Sequence, residues 1–254
     1  MSTLTFLGSG DAFCALGRGN SCYWVEDEAG VYMVDCGPTA PLALKRLSVD
    51  VDQIDGLLLT HLHGDHIGGF PLLLLTLCFS AKRTRPLEII GPPGSQRRLD
   101  TLMKVSYPGL LPEKLPFTLE YQRLSSATPI EWRGRKLHAI DALHDPNVEP
   151  LSIRVDGAGT ALTFSGDTGW QPALATLAAR STLICECSYA DPVFPGHLSV
   201  AELIAVRETL TCDRLVLTHL GAEARAAAMD AAEKANWEVG DDGLTLSLSS
   251  TVLR

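Results

Sequence analysis

The chain has 254 residues, 46% hydrophobic and 20% charged, the composition of a soluble globular protein with a sizeable core. Its net charge of −9 excludes broad, non-specific nucleic-acid binding, which needs clustered Lys and Arg, and the scattered Trp24, Trp132, Trp170 and Trp237 offer no stacking platform for bases. The most apolar run, 67–79, is broken by Gly68, Gly69 and Pro71 and falls short of the roughly 20 residues of a membrane span; with no export signal visible and an odd set of seven cysteines, reduced thiols in a cytoplasmic protein are expected.

In chain order, the pattern predicts a strand at Leu4–Leu7, a Gly-rich loop over Gly8–Asn20, and a hairpin of Ser21–Glu26 and Val31–Asp35 around Asp27–Gly30. A helix at Pro41–Leu47 precedes a strand at Gly56–Thr60 and a His-rich loop. A strand at Leu87–Ile90 and a helix at Ser95–Val105 come next. Strands at Phe117–Tyr121, Ile130–Trp132, Arg135–Ala142, Leu151–Val155 and Ala161–Ser165 fill the middle. The last part alternates: helix Gln171–Ala179, strand Thr182–Glu186, helix Ser199–Leu210, strand Arg214–Thr218, helix Ala222–Asn236, strand Leu244–Leu248. No linker or repeat divides the chain, so a single α/β domain over 1–254 is expected, with sheets inside and helices outside.

The densest chemistry is Thr60-His61-Leu62-His63-Gly64-Asp65-His66, directly after the apolar run Leu57-Leu58-Leu59. Imidazole and carboxylate suit zinc, and also manganese or iron. Buried together without a cation, such groups would repel or desolvate one another. A strand feeding this loop therefore points to a paired divalent metal centre that activates water. Three more candidates follow predicted strands: His144, Asp167 and His219. A lone histidine at a strand end is usually structural, as His138 is expected to be. Three such groups in one setting, downstream of the loop, read as its partners.

These residues resemble the metallo-β-lactamase superfamily over almost the whole length. The resemblance is carried by Phe6-Leu7-Gly8-Ser9-Gly10, Val34-Asp35-Cys36-Gly37, the HxHxDH loop, His144, Phe164-Ser165-Gly166-Asp167-Thr168 and Leu217-Thr218-His219. It implies a four-layer αββα sandwich with the metals at one edge of the sheets. It also implies that His61, His63 and His144 bind one metal ion, that Asp65, His66 and His219 bind a second, and that Asp167 bridges them. Two divalent cations per chain are expected, zinc first, with manganese or iron acceptable to the same ligands. Asp35 is expected to hydrogen-bond a ligand histidine or loop amides.

The segments Cys185-Glu186-Cys187-Ser188-Tyr189, Gly196-His197-Leu198-Ser199 and Leu217-Thr218-His219-Leu220 are similar to the phosphodiesterase branch, which includes tRNase Z and cyclic-phosphodiesterase relatives. By that resemblance His197 protonates the leaving oxygen or holds the scissile phosphate, and Glu186 orients it. The candidate catalytic residues are thus Asp65, His197 and Glu186. The implied function is a dinuclear metal-dependent phosphodiesterase acting on a small or cyclic phosphodiester or an RNA end through a metal-bridging hydroxide. Cys185 stands where the branch has His, and the short interval from His144 to Asp167 leaves no room for the tRNA-binding arm of tRNase Z. A small-molecule or nucleotide phosphodiester is therefore the expected partner, with no membrane contact and a homodimer as the assembly. Lactone, thioester or ester hydrolysis on the same metal loop is the alternative, and a non-catalytic metal-binding module the third reading.

Overall fold

The structure, a computed structural model, describes residues 2–110, 112–157 and 159–248. Residues 1 and 249–254, the ends of the expected domain, lie outside the described residues. Strands β1 (Ser2–Gly8), β2 (Cys22–Asp27), β3 (Gly30–Val34), β4 (Ile54–Leu58), β5 (Leu87–Gly91) and β6 (Leu119–Arg123) lie in one sheet. Strands β7 (Ile130–Trp132), β8 (Arg135–Asp141), β9 (Leu151–Gly157), β10 (Thr160–Phe164), β11 (Thr182–Glu186), β12 (Arg214–Thr218) and β13 (Glu238–Val239) form the second. Strand β14 (Thr245–Leu248) returns to the first sheet beside β1. Both sheets share one plan. An antiparallel part, β14-β1-β2-β3 or β7-β8-β9-β10, is extended by parallel strands, β4-β5-β6 or β11-β12-β13.

Period-two alternation explains the layering, because successive side chains of a strand point to opposite faces. Tyr23, Val25, Leu58, Ile184 and Val216 enter the core between the sheets. Their neighbours Trp24 and Leu57 face the helices α1 (Ala40–Arg46), α3 (Phe70–Leu75) and α4 (Ser95–Ser106), which lie around the single turn α2 (Gly64–Ile67) in the sequence. Leu183, Leu215 and Leu217 face α5 (Pro172–Ala178), α6 (Val200–Val206) and α7 (Ala222–Ala235). The central strands β4, β11 and β12 are buried on both faces, so they read as continuous apolar runs. The result is the expected αββα sandwich. No helix among the described residues is long and apolar enough to cross a membrane.

One buried cation crosses between the sheets. Arg135, at the start of β8, donates from Nε to Asp27 Oδ2 at the end of β2 (2.9 Å), and its guanidinium lies over the rings of Tyr32 and Trp132 at 4.9 and 4.8 Å. Strand directions put this pair at the end of the sandwich opposite to the His loop, because β3 and β8 both run from it toward the site.

Several element ends differ from the sequence reading. Strand β4 ends at Leu58 rather than Thr60 because Thr60 leaves the ladder: its N–H donates to Asp35 Oδ1 (2.8 Å) and its carbonyl accepts from Leu151 N of the other sheet (2.9 Å). Strand β6 begins at Leu119 because its register follows Leu87↔Leu119, while Phe117 is an anchor in the outer core with Arg83 over its ring. Helix α6 stops at Val206, where a 3-10 turn, Arg207–Thr209, takes over. The two-residue β13 is too short to leave a periodic signal.

Candidate metal centre

The site lies where strands from both sheets end. From the first sheet, the chain after β4 passes through His61 and His63 into α2, whose single turn carries Asp65 and His66. From the second sheet, His144 follows β8, Asp167 follows β10 and His219 directly follows β12. Loop ends can bring these groups together only if the sheets approach closely. Gly166 makes that possible: at φ +57°, a Cβ there would meet Leu151 O at 2.7 Å and Thr60 Cβ at 3.0 Å. Asp35 and His219 also hold left-handed backbone, at φ 59° and 53°. Such conformations in non-glycine residues cost on the order of 1–3 kcal/mol and gather at functional sites.

All seven candidate ligands are brought together in two sets that share one carboxylate. His61, His63, His144 and Asp167 offer four atoms within 4.8 Å of one another, as do Asp65, His66, Asp167 and His219. His61 Nε2 is 3.2 Å from His63 Nδ1, which is 3.0 Å from His144 Nε2. His219 Nε2 is 3.4 Å from Asp65 Oδ2 and 3.5 Å from Asp167 Oδ1.

The outward nitrogens explain this orientation. His144 Nδ1 donates to Gly196 O (2.8 Å), so its Nε2 keeps a lone pair facing the other rings. His66 Nδ1 meets Asp35 Oδ2 (2.8 Å), His61 Nδ1 meets Thr60 Oγ1 (3.1 Å) and His219 Nδ1 meets Ser188 Oγ (2.9 Å). His63 is turned the other way, with Nε2 toward Asp145 at 3.5 Å. Imidazoles held by one nitrogen present the other to a cation.

The set fits divalent metal on its own geometry. His66 Nε2 and Asp167 Oδ1 are buried and 3.2 Å apart, yet they are not aligned for a hydrogen bond and neither has a partner. Buried polar atoms rarely stay orphaned, and a cation between them satisfies both. Electrostatics agree. Burial alone would raise the Asp167 carboxyl, but His219, His66 and His61 hold it well below the usual carboxylate range. Burial pushes the His219 imidazole down, yet Asp167 and the hydrogen bond to Asp65 outweigh it and hold it at about 9, so the carboxylates draw a proton onto this ring that a bound cation would have to displace. Burial and neighbouring rings keep His61 well below its ordinary value, neutral as a metal ligand must be.

Glu186 and His197 sit beside the shared carboxylate. His197 Nδ1 is 2.9 Å from Glu186 Oε1 and 4.0 Å from Asp167 Oδ2. A third set, Glu186, His197 and His219, also has ligand-like spacing. Glu186 is nevertheless occupied: Oε1 accepts from Thr168 N (3.0 Å), His197 Nδ1 and Leu198 N (3.2 Å), and Oε2 from Ser188 N (3.0 Å). Its oxygens are thus committed to protein donors rather than left open to a cation. His197 does not cap α6; Ser199 does, in a capping box with Glu202. Burial lowers the His197 imidazole, but the hydrogen bond and charge of Glu186 raise it above its ordinary value.

Sequence reasoning did not assign roles to Thr60, Ser188 or Gly196. Ser188 and Gly196 lie within the quoted motifs, but a backbone carbonyl such as Gly196 O carries no side-chain signature. His138, as expected, stays away from the cluster and lies 3.8 Å from Asp156. Cys185 is buried in the core beneath α5–α7. A cavity of about 350 Å³ opens from His197 and His219 between Phe13, Tyr189 and Val193, with Asp11, Asp191 and Glu223 in its walls.

Known proteins are similar to this chain to differing extents. The chain is 27% identical over 240 residues to a Ribonuclease Z of Mycobacterium marinum, covering 86% of each chain. It is 35% identical over 128 residues to a Ribonuclease Z of Agathobacter rectalis, covering 50% of this chain and 40% of that protein, so this match spans about two fifths of the relative's length. In structure it is similar to the metallo-β-lactamase fold protein YhfI from Bacillus subtilis, with a TM-score of 0.78, 20% identity, and coverage of 96% of this chain and 98% of that one, a likeness that shows the fold. The family described as Anti-Pycsar protein Apyc1 matches residues 2–237. The chain belongs to this Apyc1 family, in the phosphodiesterase and tRNase Z-like branch of the metallo-β-lactamase superfamily.

Proposed function

We propose that this chain acts, as one domain over 1–254, as a dinuclear metal-dependent hydrolase of phosphodiesters. The observation that carries the reading is the pair of ligand sets sharing Asp167, with the His197–Glu186 pair against that shared carboxylate. His61, His63, His144 and Asp167 would hold one cation, and Asp65, His66, His219 and Asp167 the other, with zinc as the first choice for such donors. Divalent cations bound there lower the pKa of water and offset charge on phosphoryl oxygens.

The chain's own groups do the rest. Asp35 and Thr60 hold His66 and His61 in place. Glu186 accepts from His197 Nδ1 and favours its protonated form. As a water oxygen bonds to phosphorus and the P–O bond to the leaving group breaks, the His197 proton passes to the departing oxygen, a transfer worth about a hundredfold or more in rate. The cavity beside His197 suits a small substrate, and its three carboxylates disfavour a polyanionic RNA chain. A small or cyclic phosphodiester is thus preferred over pre-tRNA.

The test is hydrolysis of bis(p-nitrophenyl) phosphate beside p-nitrophenyl acetate and a lactone, with metal content counted. Diester turnover with about two metals per chain is expected. His197→Ala should keep its metal and lose about a hundredfold in kcat. Ester or lactone cleavage without diester cleavage would move the chain to the acyl-hydrolase reading, and bound metal with no turnover to a binding module.

A further inference from the structure

The Glu186–His197 pair and the metal ligand His219 are not independent; one hydroxyl lies between them. Ser188 Oγ is 2.9 Å from His219 Nδ1, 3.1 Å from Glu186 Oε2 and 3.2 Å from the His219 carbonyl. A serine has one proton to donate and two lone pairs. His219 Nε2 faces Asp65 and Asp167, so a cation there requires the proton on Nδ1. That Nδ1–H then donates to Ser188 Oγ, whose own proton faces two acceptors, Glu186 Oε2 and the His219 carbonyl; the charge of the carboxylate favours Glu186, and His197 Nδ1, 3.3 Å from the same hydroxyl, points its proton to Glu186 Oε1. On its other oxygen Glu186 accepts from His197. The result is one directed chain, His219 to Ser188 to Glu186, with His197 donating into the same carboxylate.

We propose that Ser188 is a positioning residue that fixes the tautomer and ring orientation of His219 and ties that ligand to the carboxylate orienting His197. The backbone supports this. Ser188 N also donates to Glu186 Oε2, and the Ser188 carbonyl accepts from Gly221 N (3.3 Å), so the residue is held from both sides. The left-handed backbone of His219 adds to the case: a ligand on strained backbone depends on side-chain partners to hold its aim. None of the other ring partners, Asp35, Thr60, Gly196 and Asp145, is hydrogen-bonded to Glu186 in this way.

The proposal rests on the hydrolase reading for its kinetic part and is independent of it for its metal part. Metal-free wild-type protein, Ser188→Ala and Ser188→Thr are each titrated with Zn²⁺ against a competing chelator, and their metal-free thermal unfolding is recorded. Ser188→Ala should bind zinc at least about tenfold more weakly, with metal-free unfolding unchanged. Its kcat on bis(p-nitrophenyl) phosphate should fall about tenfold with little change in KM, and Ser188→Thr, which keeps the hydroxyl, should restore both. Wild-type zinc affinity in Ser188→Ala overturns the proposal, as does a lowered metal-free unfolding temperature that accounts for the loss. If wild-type protein cleaves no diester, the hydrolase reading fails and the zinc comparison still decides the role of Ser188.

Discussion

The two sheets furnish the candidate site in opposite ways. The first delivers His61, His63, Asp65 and His66 from one short stretch, whose mutual placement is set by local geometry after β4 and by one turn of helix. The second delivers His144, Asp167 and His219 singly, from the ends of three strands far apart in sequence. The first group needs little beyond that stretch, chiefly Asp35 after β3, which accepts from Thr60 and His66. The second exists only when the whole second sheet has its register and packs against the first. Local density makes a motif; topology makes a site.

The sharpest break in this division is Asp167, the one group common to both sets. Asp167→Ala should abolish metal binding at both and lower kcat/KM at least about a thousandfold, several kcal/mol of lost charge stabilisation. Metal counting beside diester hydrolysis checks it, and retention of one full equivalent would show that the first sheet's ligands suffice alone. Asp35→Asn tests the loop's support. Asp35 accepts from Thr60 N, Thr60 Oγ1 and His66 Nδ1, and an amide cannot accept from all three. Zinc affinity should fall about 10- to 100-fold without being lost, measured by chelator competition. The smallest effects come from a pair of glycines. Gly166→Ala, at positive φ and against Leu151 and Thr60, should destabilise by about 1–3 kcal/mol and misplace Asp167. Gly64→Ala, at the first position of α2 with open space around it, should change stability by no more than about 1 kcal/mol, in the stabilising direction. Denaturant unfolding of both variants reads the difference directly.

The same division explains what could be read before the structure. The HxHxDH loop is legible because its chemistry is packed into consecutive residues. The alternation of Tyr23, Trp24 and Val25, or Leu183 and Ile184, is legible because both faces are buried. His144, Asp167 and His219 were suggested by their recurrence at strand ends after the loop, but their ligand roles needed the family resemblance, since nothing local distinguishes a ligand histidine from a structural one at a strand end. Beyond reach were Gly196 O and the carbonyl of Thr60, which act through backbone, and Ser188, one hydroxyl whose meaning depends on what surrounds it. Left-handed His219 was equally hidden, because only the turn after β12 requires it.

Arg135 and Asp27 close the sandwich at the margin opposite to the site, with the guanidinium between two rings and no cofactor needed. The molecule is therefore built like a book with a permanent spine. Its other margin is fastened by Thr60 O accepting from Leu151 N and by whatever sits among the histidines. An ion bound there would be a second fastening at that margin, joining His61, His63, Asp65 and His66 of one sheet to His144, Asp167 and His219 of the other.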